Sequence, residues 1–238
     1  MLWTPGHIPE PPTIAPRPGR VTGDGAKSRH FQSHLILPQT HPMHRYYGRA
    51  TEADSGDRSR YDGYAEGGTI LDTAGKGVPI GSLPPFLRAL LVTDGTVTKL
   101  LEAYFWEPVA VDTLEQRFAA AEAPVPWVEV QAGDPCLIRD ARLRGRHSGR
   151  AYAEAFSLIR TELIPDDLGR RLIAREIGIG ALIRDSGLES YREVMDAGLD
   201  RSQGTGGAVF RTYRIVIDSR PVILITEYFP LDLFESTR

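Results

Sequence analysis

A chain of 238 residues can build one substantial core with room for a second domain. Its 28 Lys and Arg against 31 Asp and Glu leave a net charge of -3, which offers no global attraction for nucleic acid or an anionic membrane. The single cysteine, Cys136, excludes an internal disulfide framework and a cysteine-based zinc site. The opening MLWTPGHIPEPP lacks the apolar centre of a secretion signal, and no apolar run approaches the roughly 18 residues of a membrane span. A cytoplasmic protein without membrane or nucleic-acid partners is therefore expected.

Residues 1 to 80 hold 9 Pro, 11 Gly and five of the six histidines. Segments such as PEPPTIAPRPG and EADSGDRSRYDGYAEGG carry turn formers and charge without an apolar period, so they repay little of the entropy of ordering. This part is read as a largely irregular arm with one candidate strand at His34 to Leu37. Residues 81 to 238 are regular and form the second unit. LPPFLRALL at 83 to 91 predicts a helix entered through Pro84 and Pro85, Asp94-Gly95 interrupts it, and TVTKLLEAYF at 96 to 105 predicts another. Val109 to Arg117 reads first as a strand, although LEQRFAAAEA also suits a helix. Strands follow at Cys136 to Arg144 and Ala151 to Thr161, joined by GRHSG. A helix is predicted at Asp166 to Arg175, one or two more within Ala181 to Ala197, and a final hairpin from Val209 to Asp218 and Val222 to Phe229. Hairpin-joined strands with interposed helical pairs give an α+β fold, an antiparallel sheet with flanking helices.

Two charges sit where alternation expects apolar side chains. In PVILITEYF, Glu227 shares a strand face with Ile223, Ile225 and Phe229; in CLIRDARLR, Arg139 shares one with Leu137, Ala141 and Leu143. Either residue alone fits a structural ion pair or a wet sheet edge. Together they suit a pocket for a small polar ligand, the guanidinium gripping a carboxylate and the acid meeting a hydroxyl or a reacting proton. A four-residue hairpin turn would pair Ile217 with Val222 and set Thr212 opposite Glu227 with Arg214 diagonal to it, a two-residue turn keeps the same parity, and this register is the expected one. A three-residue turn would bring Arg211 or Tyr213 alongside instead.

Other motifs carry less. Ala74-Gly75-Lys76-Gly77 lacks the first glycine and the final hydroxyl residue of a phosphate loop, since Ile70 and Gly77 stand there. His41 and His44 suit a surface segment better than a metal site, His147 lies in a turn, and GTGG at 204 to 207 marks a flexible connection or a bulge. With no GxSxG elbow and one histidine outside the arm, a Ser-His-Asp catalyst is not expected.

Four stretches carry a family likeness: LLVTDGTVTKLLE at 90 to 102, LIRDARLRG at 137 to 145, IGIGALI at 177 to 183 and YRIVIDSRPVILITEYFP at 213 to 230. In these residues and their order, positions 81 to 238 resemble the chorismate pyruvate-lyase family, particularly its actinobacterial-type members. The resemblance implies helix-turn-helix flaps over an internal pocket and conversion of chorismate to 4-hydroxybenzoate and pyruvate without metal or organic cofactor. It implies that Arg139 and Glu227 contact the ligand, and that the backbone amides of Val97 and Ile179 hold its carboxylate. Each of these two lies at a predicted helix start beside a glycine, where free N–H groups and the positive dipole end can receive an anion. Enterobacterial-type members carry an arginine on the strand where this chain has Phe156, so that contact is missing or replaced, with Arg117 and Arg214 as candidates. Two other readings are a lyase making a different hydroxybenzoate, or serving a specialised secondary-metabolite pathway, and a non-catalytic sensor like the UTRA domains of GntR-type regulators. Residues 1 to 80 show no winged-helix pattern to support the sensor.

Overall fold

The computed structural model describes residues 68–174, 178–203 and 206–234. The candidate strand at His34 to Leu37 and the histidines at 41 and 44 lie outside the described residues. Eight strands form one sheet: β1 (Thr69–Asp72), β2 (Gly77–Pro79), β3 (Val109–Ala120), β4 (Pro135–Gly145), β5 (Ala151–Ile159), β6 (Ser190–Asp200), β7 (Ala208–Ile217) and β8 (Arg220–Pro230). Their spatial order is β2-β1-β6-β7-β8-β5-β4-β3. All neighbours pair antiparallel except β1 with β6, which run parallel, so the sheet is mixed and not purely antiparallel as expected. Four helices complete the α+β fold: α1 (Pro85–Val92), α2 (Val97–Phe105), α3 (Asp166–Ile173) and α4 (Ile179–Ser186). None of the described helices is long and apolar enough to cross a membrane.

Most predicted elements recur with small boundary shifts, and three differences matter. The ambiguous stretch after Val109 is strand throughout, because pairing with β4 from Val109 to Ala120 satisfies its backbone along the whole length. Helix was expected up to Ala197, but α4 ends at Gly187, whose φ of 70° is left-handed, and β6 follows. Pairing of β6 with β7 overrides the helical reading of YREVMDAGLD. Finally, β1 and β2 fall on the arm side of the boundary drawn at residue 80. They join the sheet through β6, and Ile70, Val78 and Ile80 pack into the core.

The two sheet faces are covered differently. On one face, Phe229, Val209, Leu143 and Leu199 pack under α1 and α2 through Leu87, Leu90, Leu91, Val97 and Leu101. Toward the other end of that face, Leu137, Ile159, Ile215 and Ile223 pack under α3 and α4 through Leu168, Leu172, Leu182 and Ile183. The opposite face carries Cys136, Ile138, Phe156, Leu158 and Leu224 and is covered by the segment holding Val125, Trp127, Val128 and Val130. Two helical hairpins thus share one face, and whatever lies between their cores is enclosed from both sides.

Candidate functional site

Between those two cores run two rows of facing residues. Strand register aligns Thr113, Ala141, Ala155, Glu227, Arg211 and Ala197 in one row, and Gln116, Arg139, Ser157, Ile225, Tyr213 and Val194 in the next. Arg139 and Glu227 therefore share a face and are nearly fully buried, at 1% and 6% exposure. They stand two strands apart, about 10 Å across the sheet. Ala141, Ala155 and Ser157, all small, lie between them on the same face.

Glu227 does not pair with Arg139. Arg211 Nε donates to its Oε2 at 2.9 Å and the Tyr213 hydroxyl donates to its Oε1 at 3.3 Å. The Arg211 guanidinium also lies over the Tyr213 ring, 4.7 Å from its centroid. Burial, followed by the nearby Glu227 carboxylate, pushes the Tyr213 hydroxyl far above its ordinary range, so it stays protonated and able to donate. Arg139 in turn donates from Nη2 to Thr113 Oγ1 at 2.7 Å.

The expected register, with Thr212 opposite Glu227, is corrected here: Arg211 is opposite Glu227 and Thr212 faces Thr226 on the other side of the sheet. The hairpin turn is Asp218-Ser219, both with positive φ of 49° and 61°, so Ile217 pairs with Arg220. A bulge then places Val216 opposite Pro221 and Ile215 opposite Ile223, skipping Val222 and shifting every later pair by one. A signal for Arg211 was present nonetheless. In AVFRTYRIVI it alternates in phase with Val209, Tyr213 and Ile215, the same oddity that marks Glu227. Arg192 was missed because β6 was read as helix.

Val97 and Ile179 are the first residues of α2 and α4, preceded by Thr96 and Gly178 in extended conformation, and no side chain caps either start. The two starts meet. A Cβ at Gly180 would lie 3.5 Å from Thr96 Cγ2 and 3.8 Å from Arg192 Nη2. The turn ahead of α2 is tied to the sheet from below: Arg211 Nη1 donates to the Thr93 carbonyl, and Arg192 Nη1 donates to the Asp94 carbonyl at 3.0 Å. Two positive helix ends thus converge above the face carrying Arg139, Arg211 and Glu227.

The replacement cations considered for Phe156 lie elsewhere. Phe156 itself packs in the opposite layer. Arg117 is paired opposite Ile138 of that layer and bonds Glu115, while Arg214 is opposite Leu224 and bonds Glu193 and the Trp127 carbonyl. Arg211 and Arg192 are the additional cations on the site face. The Ala74-Gly75-Lys76-Gly77 turn is also accounted for, since the Asp72 carboxylate accepts from the amides of Ala74 and Lys76.

Comparison with known proteins identifies the family. A family model described as "Chorismate pyruvate-lyase Rv2949c-like" matches residues 91–237. A chorismate pyruvate-lyase of Mycobacterium leprae is 32% identical over 161 residues, covering 63% of this chain and 77% of that protein. One from Mycobacterium tuberculosis is 26% identical over 162 residues, covering 62% and 81%. Among solved structures, the effector domain of PhnF from Mycobacterium smegmatis aligns with a TM-score of 0.46 at 14% identity, over 58% of this chain and 90% of that one. The chain belongs to the Rv2949c-like chorismate pyruvate-lyase family.

Proposed function

We propose that the protein is a lyase that converts chorismate to 4-hydroxybenzoate and pyruvate. The observation that carries this reading is the buried face between the helical hairpins, where Arg139 and Glu227 stand apart across small residues beneath two uncapped helix starts. In this reading Arg139 and the amides of Val97 and Ile179 hold the ring carboxylate, and Glu227 receives the ring hydroxyl at the far end. The C4 proton is lost, the C3–O bond to the enolpyruvyl group breaks, and the departing enolpyruvate takes up a proton to become pyruvate. The ring becomes aromatic, which supplies much of the driving force. What remains for the protein is orientation and one well-placed acceptor.

Glu227 suits that task because Arg211 and Tyr213 fix both of its oxygens, so its remaining lone pairs point in a set direction. The helical hairpins would exclude water from the reacting ether. The test is a Glu227→Gln variant, assayed by chromatography of products from chorismate with folding checked by circular dichroism. Loss of 4-hydroxybenzoate formation on the order of 10²-fold or more is expected for a positioned acid-base group. Unchanged turnover would remove Glu227 from the mechanism.

A further inference from the structure

Arg211 is 1% exposed. Its Nε is used by Glu227 and its Nη1 by the Thr93 carbonyl, while Nη2 is buried without a hydrogen-bond partner among the described residues. Arg192 repeats the pattern from the neighbouring strand: Nη1 is used by the Asp94 carbonyl, and its buried Nε has no partner among the described residues. Both guanidiniums donate to carbonyls of adjacent residues in one turn, Thr93 and Asp94. These bonds reach one carboxylate, Glu227, against two cations, and the remaining acceptors are neutral carbonyls. Buried donors left without acceptors destabilise a fold, and a surplus guanidinium favours an arriving anion.

We propose that Arg192 and Arg211 together seat a second carboxylate, distinct from the one assigned to Arg139 and the two helix starts. This rests on the lyase reading above, in which the substrate carries a side-chain carboxylate as well as a ring carboxylate and the aromatic product keeps only the latter. The site then distinguishes substrate from product by charge: the dianion engages both seats, and 4-hydroxybenzoate engages one. Release of pyruvate frees the Arg192–Arg211 seat and weakens retention of what is left.

The test compares the full-length wild type with Arg192→Gln and Arg192→Lys, each checked for folding by thermal melting. The measurements are KM for chorismate, the inhibition constant of 4-hydroxybenzoate, and calorimetric binding of each compound. Arg192→Gln should weaken chorismate about 10- to 100-fold and 4-hydroxybenzoate by less than about twofold, with Arg192→Lys intermediate. Equal weakening of both compounds would mean that Arg192 only holds the 93–94 turn, and no weakening of either would mean that it holds nothing; each result overturns the proposal. A wild type that binds chorismate without converting it, and loses that binding selectively in Arg192→Gln, would sink the lyase reading and keep the second seat. Binding of neither compound by the wild type would overturn both.

Discussion

At the scale of single residues, the two halves of the molecule use carboxylates in different ways. Glu227 is buried and met by a guanidinium and a phenol, an arrangement whose partners cannot be removed singly without stranding a charge. Glu107 is instead a tie at the β4–β5 hairpin. It accepts from the Tyr152 hydroxyl and from the amides of His147 and Ser148. The Tyr152 bond, then those from Ser148, hold its carboxyl down at about 2, below the ordinary 4.5. A carboxylate with a depressed folded-state pKa stabilises the fold above its unfolded value, and that contribution fades as the pH falls from about 4.5 toward 2. Glu107→Gln should therefore lower the melting temperature at neutral pH and flatten the loss of stability between those two pH values, measured by thermal denaturation across the acid range.

Among the elements, β6 and the β7–β8 hairpin decide which side chains reach the site. The bulge at Val222 restores the pairing that brings Arg211 to Glu227, so one unpaired residue sets the electrostatics of the whole face. On β6, Gly198 is required by close approach: a Cβ there would lie 2.7 Å from both the Leu71 carbonyl of β1 and the Phe210 ring. Backbone on one side and a packed ring on the other leave little room to yield. Gly198→Ala should cost about 1–3 kcal/mol in chemical denaturation and loosen the parallel β1–β6 pairing, visible as faster amide exchange in β1. Stability unchanged within error would show that the two strands separate easily.

For the whole molecule, one sheet face carries both helical hairpins and therefore both hydrophobic cores of that layer, with the charged rows between them. The cores fix the distance between the helix starts and the sheet, which is why Val97 and Ile179, remote in sequence, converge over Arg192. Residues 69–80 contribute to the same layer through Ile70, Val78 and Ile80, each largely buried. A fully buried aliphatic side chain is worth about 1.5–3 kcal/mol, so a chain starting at residue 81 should melt well below one starting at residue 68. Equal melting temperatures would support a domain boundary at residue 80.

Alternation and turn chemistry alone determined the α+β class, the two helical pairs, most strands, and the placing of Arg139 and Glu227 on apolar strand faces, because side-chain direction in a strand follows from a two-residue period. Composition alone excluded disulfide and cysteine-zinc chemistry within the chain. Only the tertiary structure decided that these two charges share a face, that Arg211 and not Thr212 meets Glu227, and that Arg192 belongs to a strand. The reason is physical: register depends on a bulge that costs little locally and is fixed by burial on both faces, and a segment of mixed propensity adopts whichever backbone pairing its neighbours offer.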